Sequence, residues 1–173
     1  MITIRPAHDE DLPHLPDIER AAATLFASIE RFQDLLADAI PVEEHRAYLA
    51  AGRLWVAADA DPSAGGRPVG FAAASVVDGG AHLDEVDVHP EYGRRGIGRA
   101  LIEQVCDWAR EAGYPAVTLT TERDIPWNAP YYARLGFEIV PEGEWSPGQR
   151  VIIAEEIAGG LDATTRVVMR RML

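Results

Sequence analysis

Apolar positions along the chain alternate between two spacings, and each change of spacing marks an element. Ile2–Arg5 alternates as a short strand, and the polar run His8-Asp9-Glu10-Asp11 leads into Leu12, Leu15, Ile18, Ala22 and Leu25-Phe26, a helical stripe. Helices are also predicted over about 29–39 and 42–51, the second ending at Gly52. Period two returns in Arg53–Asp59 and Val69–Val77, joined through the turn cluster 61–68 as a hairpin. Asp78-Gly79-Gly80 turns the chain again into a strand from Ala81 to Val88, which His89-Pro90 stops because proline has no amide to donate.

Ile97, Ala100-Leu101, Val105, Trp108-Ala109 and Ala112 then form the most sustained helical stripe, closed by Gly113. Val117–Thr121 is β-rich, Tyr131–Leu135 a short helix closed by Gly136, and Phe137–Val140 and Arg166–Met172 closing strands. Residues 141–164, rich in Gly, Pro and Glu, are expected to form a long loop in which Val151–Ile153 adds a short strand. The order predicts an α/β fold with a mixed, mostly antiparallel central sheet and one strand–helix–strand crossover. Without repeats or a linker, residues 1–173 are expected to form a single domain.

Composition narrows the classes. The 173 residues are 47% apolar, enough for a core without disulfides or a structural metal. The single cysteine, Cys106, excludes an intramolecular disulfide framework, fits a reducing compartment, and sits on the apolar stripe of its helix as a small hydrophobe. Its N-terminal stretch has no basic start followed by an apolar core, and no apolar run is long enough for a membrane span, so a cytoplasmic location without membrane partners is expected. A net charge of −12 argues against a nucleic-acid partner. The five histidines lack metal-ligand spacing along the chain, and no metal is expected.

The most informative segment is VDVHPEYGRRGIGRAL, residues 86–101, where a strand ends, a loop rich in Gly and Arg follows, and a long helix begins. Amides at a helix start point outward, the helix dipole adds positive potential, and glycine admits an anion to the main chain. Such a junction binds phosphate. A P-loop is excluded because Gly98 is followed by Arg99-Ala100 instead of Lys-Ser/Thr. A dinucleotide fingerprint needs G-x-G-x-x-G, whereas Gly93, Gly96 and Gly98 give the reversed order, and a single crossover is too little for that fold.

The reversed glycine order after the Val86-Asp87-Val88-His89-Pro90 strand end, followed later by Tyr131-Tyr132-Ala133-Arg134-Leu135-Gly136-Phe137, resembles the GCN5-related N-acetyltransferase (GNAT) superfamily. The resemblance covers nearly the whole chain and implies an acyl-CoA N-acyltransferase fold with a splayed strand pair, and acetyl-CoA as acetyl donor. By the same resemblance, Val86, Asp87 and Val88 would line the pantetheine through their main chain. Gly93, Arg94, Arg95, Gly96, Ile97, Gly98 and Arg99 would wrap the pyrophosphate. Gly93 stands where an Arg or Gln is usual, with Arg94 or Arg95 as substitutes, and Ile125 stands where an asparagine is frequent, leaving nearby Asn128 as the candidate pantetheine contact.

Acetyl transfer to an amine needs a base, an oxyanion donor and a proton for the departing thiolate. Period two places Leu83, Glu85 and Asp87 on one face of their strand and His82, Asp84, Val86 and Val88 on the other. Glu85, acting through water, is the candidate base by resemblance, with Asp84 as rival and His82 as a further relay. Tyr132 matches the second aromatic of the later motif and is the candidate acid, with Tyr131 expected in the core. The main-chain amide of Val88 would face the oxyanion. The acceptor is expected to be a small-molecule or peptide amine, bound near 24–50 and 141–160. Phe26, Phe32, Trp55, Trp127 and Trp145 are candidate aromatic walls, and Glu30, Asp34, Glu122, Asp124 and Glu155 candidate cation receivers. Members of that family often pair as homodimers. A catalytically silent acyl-CoA sensor is the alternative from another class.

Overall fold

The structure, a computed structural model, describes residues 1–32, 40–59 and 66–173. The helix expected over 29–39 is seen as one 3-10 turn, Glu30–Phe32, and its remainder, with Asp34, lies outside the described residues, as does most of the turn cluster 61–68. The elements in chain order are β1 (Ile2–Pro6), α1 (Leu15–Ala23), α2 (Val42–Ala50), β2 (Leu54–Asp59), β3 (Pro68–Val77), β4 (Gly80–Val88), α3 (Ile97–Glu111), β5 (Ala116–Glu122), α4 (Ala129–Arg134), β6 (Glu138–Val140), α5 (Pro147–Ala158) and β7 (Arg166–Met172). Seven strands form one sheet in the order β1-β2-β3-β4-β5-β7-β6. β1–β2, β2–β3, β5–β7 and β6–β7 are antiparallel, and β4–β5 is parallel, so the expected mixed, mostly antiparallel α/β architecture is present.

The chain divides into two compact units, Met1–Ala74 with Glu85–Val105 and Ser75–Asp84 with Cys106–Leu173. In the first, α1 buries Leu15 and Ile18 against Leu54 and Val56 of β2 and Phe71 and Ala73 of β3, the outcome its helical stripe dictates. Asp11, 4% exposed, anchors the start of this region: it accepts from both terminal nitrogens of Arg5, at 2.7 and 2.9 Å, and from the His8 amide at 2.8 Å. Gly70 of β3 is demanded by close packing. A Cβ there would meet the Asp87 carbonyl at 2.8 Å and the Val88 side chain at 3.3 Å.

In the second unit, β5 pairs with β7 through seven positions from Ala116↔Met172 to Glu122↔Arg166, whereas the parallel register of β4 with β5 runs over Ala81↔Val117 and His82↔Thr118 alone among the described residues. Residues 141–164 depart from expectation. Instead of a long loop with a strand at Val151–Ile153, Pro147–Ala158 is a helix. Ser146 Oγ accepts from the Gln149 amide at 3.3 Å while Gln149 Oε1 accepts from the Ser146 amide at 3.0 Å, a complete capping box with proline in the first turn. Ile153 of this helix then packs with Val140, Val168 and Trp145.

Candidate active site

The first unit gathers most of the residues singled out in the sequence: Glu85, Val86, Asp87 and Val88 on β4, and Gly93–Arg99 on the loop into α3. Pro90–Tyr92 forms a 3-10 turn closed by its first carbonyl, with the Gly93 amide donating to Pro90 O at 3.0 Å. Gly93, Arg94, Arg95 and Gly96 are exposed, and Ile97 is buried beneath them as the anchor of the helix. Gly96 has φ +80°, open to glycine, and Arg94 takes φ +59°, an uncommon conformation for a residue with a Cβ. The Ala100 amide bonds Gly96 O at 3.0 Å. The amides of Ile97, Gly98 and Arg99 therefore precede the helical ladder and supply the anion-facing donors of a helix start. Arg95 lies over the Tyr92 ring at 5.1 Å and donates to Glu91 O at 3.1 Å, while Arg94 and Arg99 extend into solvent.

Period two is visible on β4. The Glu85 carboxyl lies within hydrogen-bonding reach of both Glu19 of α1 and Asp87, two residues along its own strand, so three acids form a chain with Glu85 in the middle. Asp84 is exposed and bonded to Ser75 Oγ at 3.0 Å in the second unit. Burial pushes the Asp87 carboxyl up to about 7, and the nearby Glu19 charge acts in the same direction, against the hydrogen bond from Glu85. Burial likewise raises Glu19, although both its oxygens accept from the Ile40 amide, at 2.8 and 2.9 Å.

Glu19 and His45 join this group, although neither is among the site residues expected from the sequence. His45 of α2 is fully buried, its ring edge-on to Phe71 at 5.2 Å, and neither ring nitrogen has a hydrogen-bond partner. Burial lowers its pKa, so the ring is neutral. One of its nitrogens and a carboxylate oxygen from each of Glu19 and Glu85 all lie within 4.8 Å of one another. The signal was present: Glu19 falls four residues after Leu15, and His45 three after Val42 and four before Leu49, polar groups on apolar helical faces.

Tyr132 and Asn128 belong to the second unit. Asn128 precedes α4, its carbonyl accepting from the Tyr131 and Tyr132 amides at 2.8 and 3.0 Å, while its side-chain Oδ1 is buried with no hydrogen-bond partner. Tyr132 packs edge-on between Tyr131 at 5.7 Å and buried Phe137 at 5.8 Å. Tyr131, expected in the core, is half-buried under Arg134 at 5.7 Å. His82 is 1% exposed and bonded through Nδ1 to Thr118 Oγ1 at 2.8 Å, and burial alone lowers its pKa to about 4, which makes it a poor relay. Cys106 is fully buried in α3.

Four of the side chains considered for the acceptor are otherwise engaged. Phe32 and Trp55 are core residues, Trp145 donates to Val140 O at 3.0 Å, and Glu122 is buried against Arg166 at 3.3 Å. Phe26 is half-buried, and Trp127, Glu30, Asp124 and Glu155 are exposed.

Residues 16–137 match the model of the Acetyltransferase (GNAT) family. An uncharacterised N-acetyltransferase, ycf52, of Pyropia yezoensis is 33% identical over 81 residues, 46% of this chain and 45% of that protein. The glucosamine 6-phosphate N-acetyltransferase of Trypanosoma brucei brucei is 34% identical over 74 residues, 42% of this chain and 40% of its own. The matched region thus spans less than half the length of these curated relatives. The PaiA N-acetyltransferase of Thermoplasma acidophilum, solved in complex with coenzyme A, superposes with a TM-score of 0.72 at 17% identity over 100% of this chain and 99% of that one, a likeness of fold.

Proposed function

Because the chain belongs to the acetyltransferase (GNAT) family, we propose that it transfers the acetyl group of acetyl-CoA to a primary amine by direct attack in a ternary complex. The observation that carries this reading is the succession along one strand in one unit: an acid-rich face at Glu85 and Asp87, then a loop whose outward amides and arginines fit a pyrophosphate.

In this reading Val86, Asp87 and Val88 hold the pantetheine by their main chain, Gly93–Arg99 surround the pyrophosphate, and the unpartnered Oδ1 of Asn128 accepts from a pantetheine amide. An alkylammonium has a pKa of about 10.4, so freeing the amine at pH 7 costs about 4–5 kcal/mol. Glu85 takes that proton, directly or through water, and passes it to solvent. The amine nitrogen then bonds to the thioester carbon, the oxyanion faces the Val88 amide, and the carbon–sulfur bond breaks. The Tyr132 hydroxyl gives its proton to the departing thiolate and regains one from the nitrogen as the amide forms.

The test is release of coenzyme A thiol from acetyl-CoA across a panel of small amines and peptide N-termini. Turnover that depends on the amine and falls about 100-fold or more in both Tyr132→Phe and Glu85→Gln is expected. Binding of acetyl-CoA with no active acceptor would favour the silent sensor, and absence of binding would remove the assignment of residues 86–99.

A further inference from the structure

We propose that Glu19, His45 and Glu85 form a binding site for a divalent transition-metal cation of the zinc type. The three residues come from α1, α2 and β4 of the same unit and present one imidazole nitrogen and two carboxylate oxygens to a common space. Since these atoms lie within 4.8 Å of one another, a single point lies within about 2.8 Å of all three, and zinc bonds of about 2.0–2.2 Å need side-chain movements of under about 1 Å.

The independent pointer is His45. A fully buried imidazole with both nitrogens unpartnered is costly, because neither the donor nor the acceptor regains what it loses on leaving water. Phe71 closes one side of the ring, and the carboxylates of Glu19 and Glu85 lie within reach of a ring nitrogen. A proton shared between the two acids leaves the imidazole as it is. A cation at the common point satisfies the imidazole and both acids together.

The donor set selects the ion. Imidazole with two carboxylates suits zinc and its neighbours, whereas magnesium and calcium take oxygen ligands. Three protein ligands leave a fourth position for water or a ligand. Asp87, hydrogen-bonded to Glu85, steadies that ligand from behind. Of the surrounding charges, Glu44 favours a cation and Arg20 opposes one. The proposal runs against the expectation of no metal, which rested on ligand spacing along the chain. The fold collects these ligands from distant positions.

The consequence for catalysis rests on the reading of Glu85 as base: a bound cation would occupy that carboxylate and block transfer. Binding itself does not depend on that reading. The experiment is calorimetric titration of zinc chloride into the chelator-treated full chain, alone and with excess magnesium, followed by the transfer assay at the same zinc concentrations. One zinc per chain is expected, undisturbed by magnesium and by His8→Ala, and weakened about 10–100-fold by Glu19→Gln and by His45→Gln. Far-UV circular dichroism checks each fold, and if His45→Gln unfolds, Glu19→Gln decides. No zinc binding, or equal affinity in the folded variants, overturns the site. Zinc binding by a chain that, before zinc is added, transfers to no amine overturns the proposed activity and leaves the metal site standing, and transfer without zinc binding does the reverse.

Discussion

Two clusters of buried and half-buried carboxylates, one in each unit, each contain a pair of glutamates and differ in what answers their charge. In the second unit, Glu122 at the end of β5 is 2% exposed and meets Arg166 of β7 at 3.3 Å. That same guanidinium reaches Glu156 of α5 at 2.7 and 2.9 Å, and Thr120 donates to Glu156 at 2.5 Å. One arginine binds two acids and joins two strands to a helix. In the first unit, Glu85 bonds both Glu19 and Asp87, Glu19 and Glu85 lie beside a neutral His45, and the acids sit above their ordinary pKa range where a shift is resolved. The first arrangement is complete within the protein and holds the fold. The second has an excess of acid that a cation from outside, an acceptor ammonium or a metal, would relieve.

The largest expected effect follows from breaking the complete cluster. Arg166→Met takes the guanidinium at 3.3 Å away from buried Glu122 and should lower unfolding stability by about 3–5 kcal/mol in a denaturant titration. Adding Glu122→Gln should recover much of that loss, since the uncompensated charge is then gone. Next comes pH. His82 has a folded pKa of about 4 against 6.5, and its proton is excluded by burial. The unfolded chain takes up that proton first, so stability should be constant above pH 6.5 and fall by roughly 3 kcal/mol on going down to pH 4. Denaturation midpoints across that range check it, and His82→Gln should flatten the slope. The contrast is with His45, which has no partner of the kind Thr118 provides for His82.

Smaller effects separate scaffold from site. Ser146→Ala removes the cap of the helix that carries Glu156 and should cost about 1 kcal/mol in thermal or chemical unfolding. Glu19→Gln, which thins the crowded acids of the other cluster, should change stability by under about 1 kcal/mol in either direction.

The elements of the sheet were legible because their cues are local. Alternation in β4, the tight turn at Asp78-Gly79, the stripe of α3 and the glycine order at 93–98 each span a few residues. The α5 helix was hidden by composition. Gly148 and the prolines of 141–164 suggested loop, yet Ser146-Pro147-Gly148-Gln149 is a capping box with proline where a first turn accepts it. Gly148 is itself required there: its amide donates to Asp78 at 2.7 Å, and a Cβ would meet Val77 at 2.5 Å. The acid cluster was half legible. Period two pairs Glu85 with Asp87, but Glu19 and His45 reach them only through the packing of α1 and α2 beside β4 in the first unit, a long-range consequence that no local spacing encodes.

The central claim is that the acids around Glu85 serve chemistry and those around Arg166 serve the fold. The most direct measurement is Glu85→Gln, assayed for both denaturation midpoint and acetyl-CoA-dependent transfer in the same preparation. The account expects a midpoint equal to or above that of the native chain with transfer reduced about 100-fold or more. A stability loss of several kcal/mol, or transfer at the native rate, would contradict it.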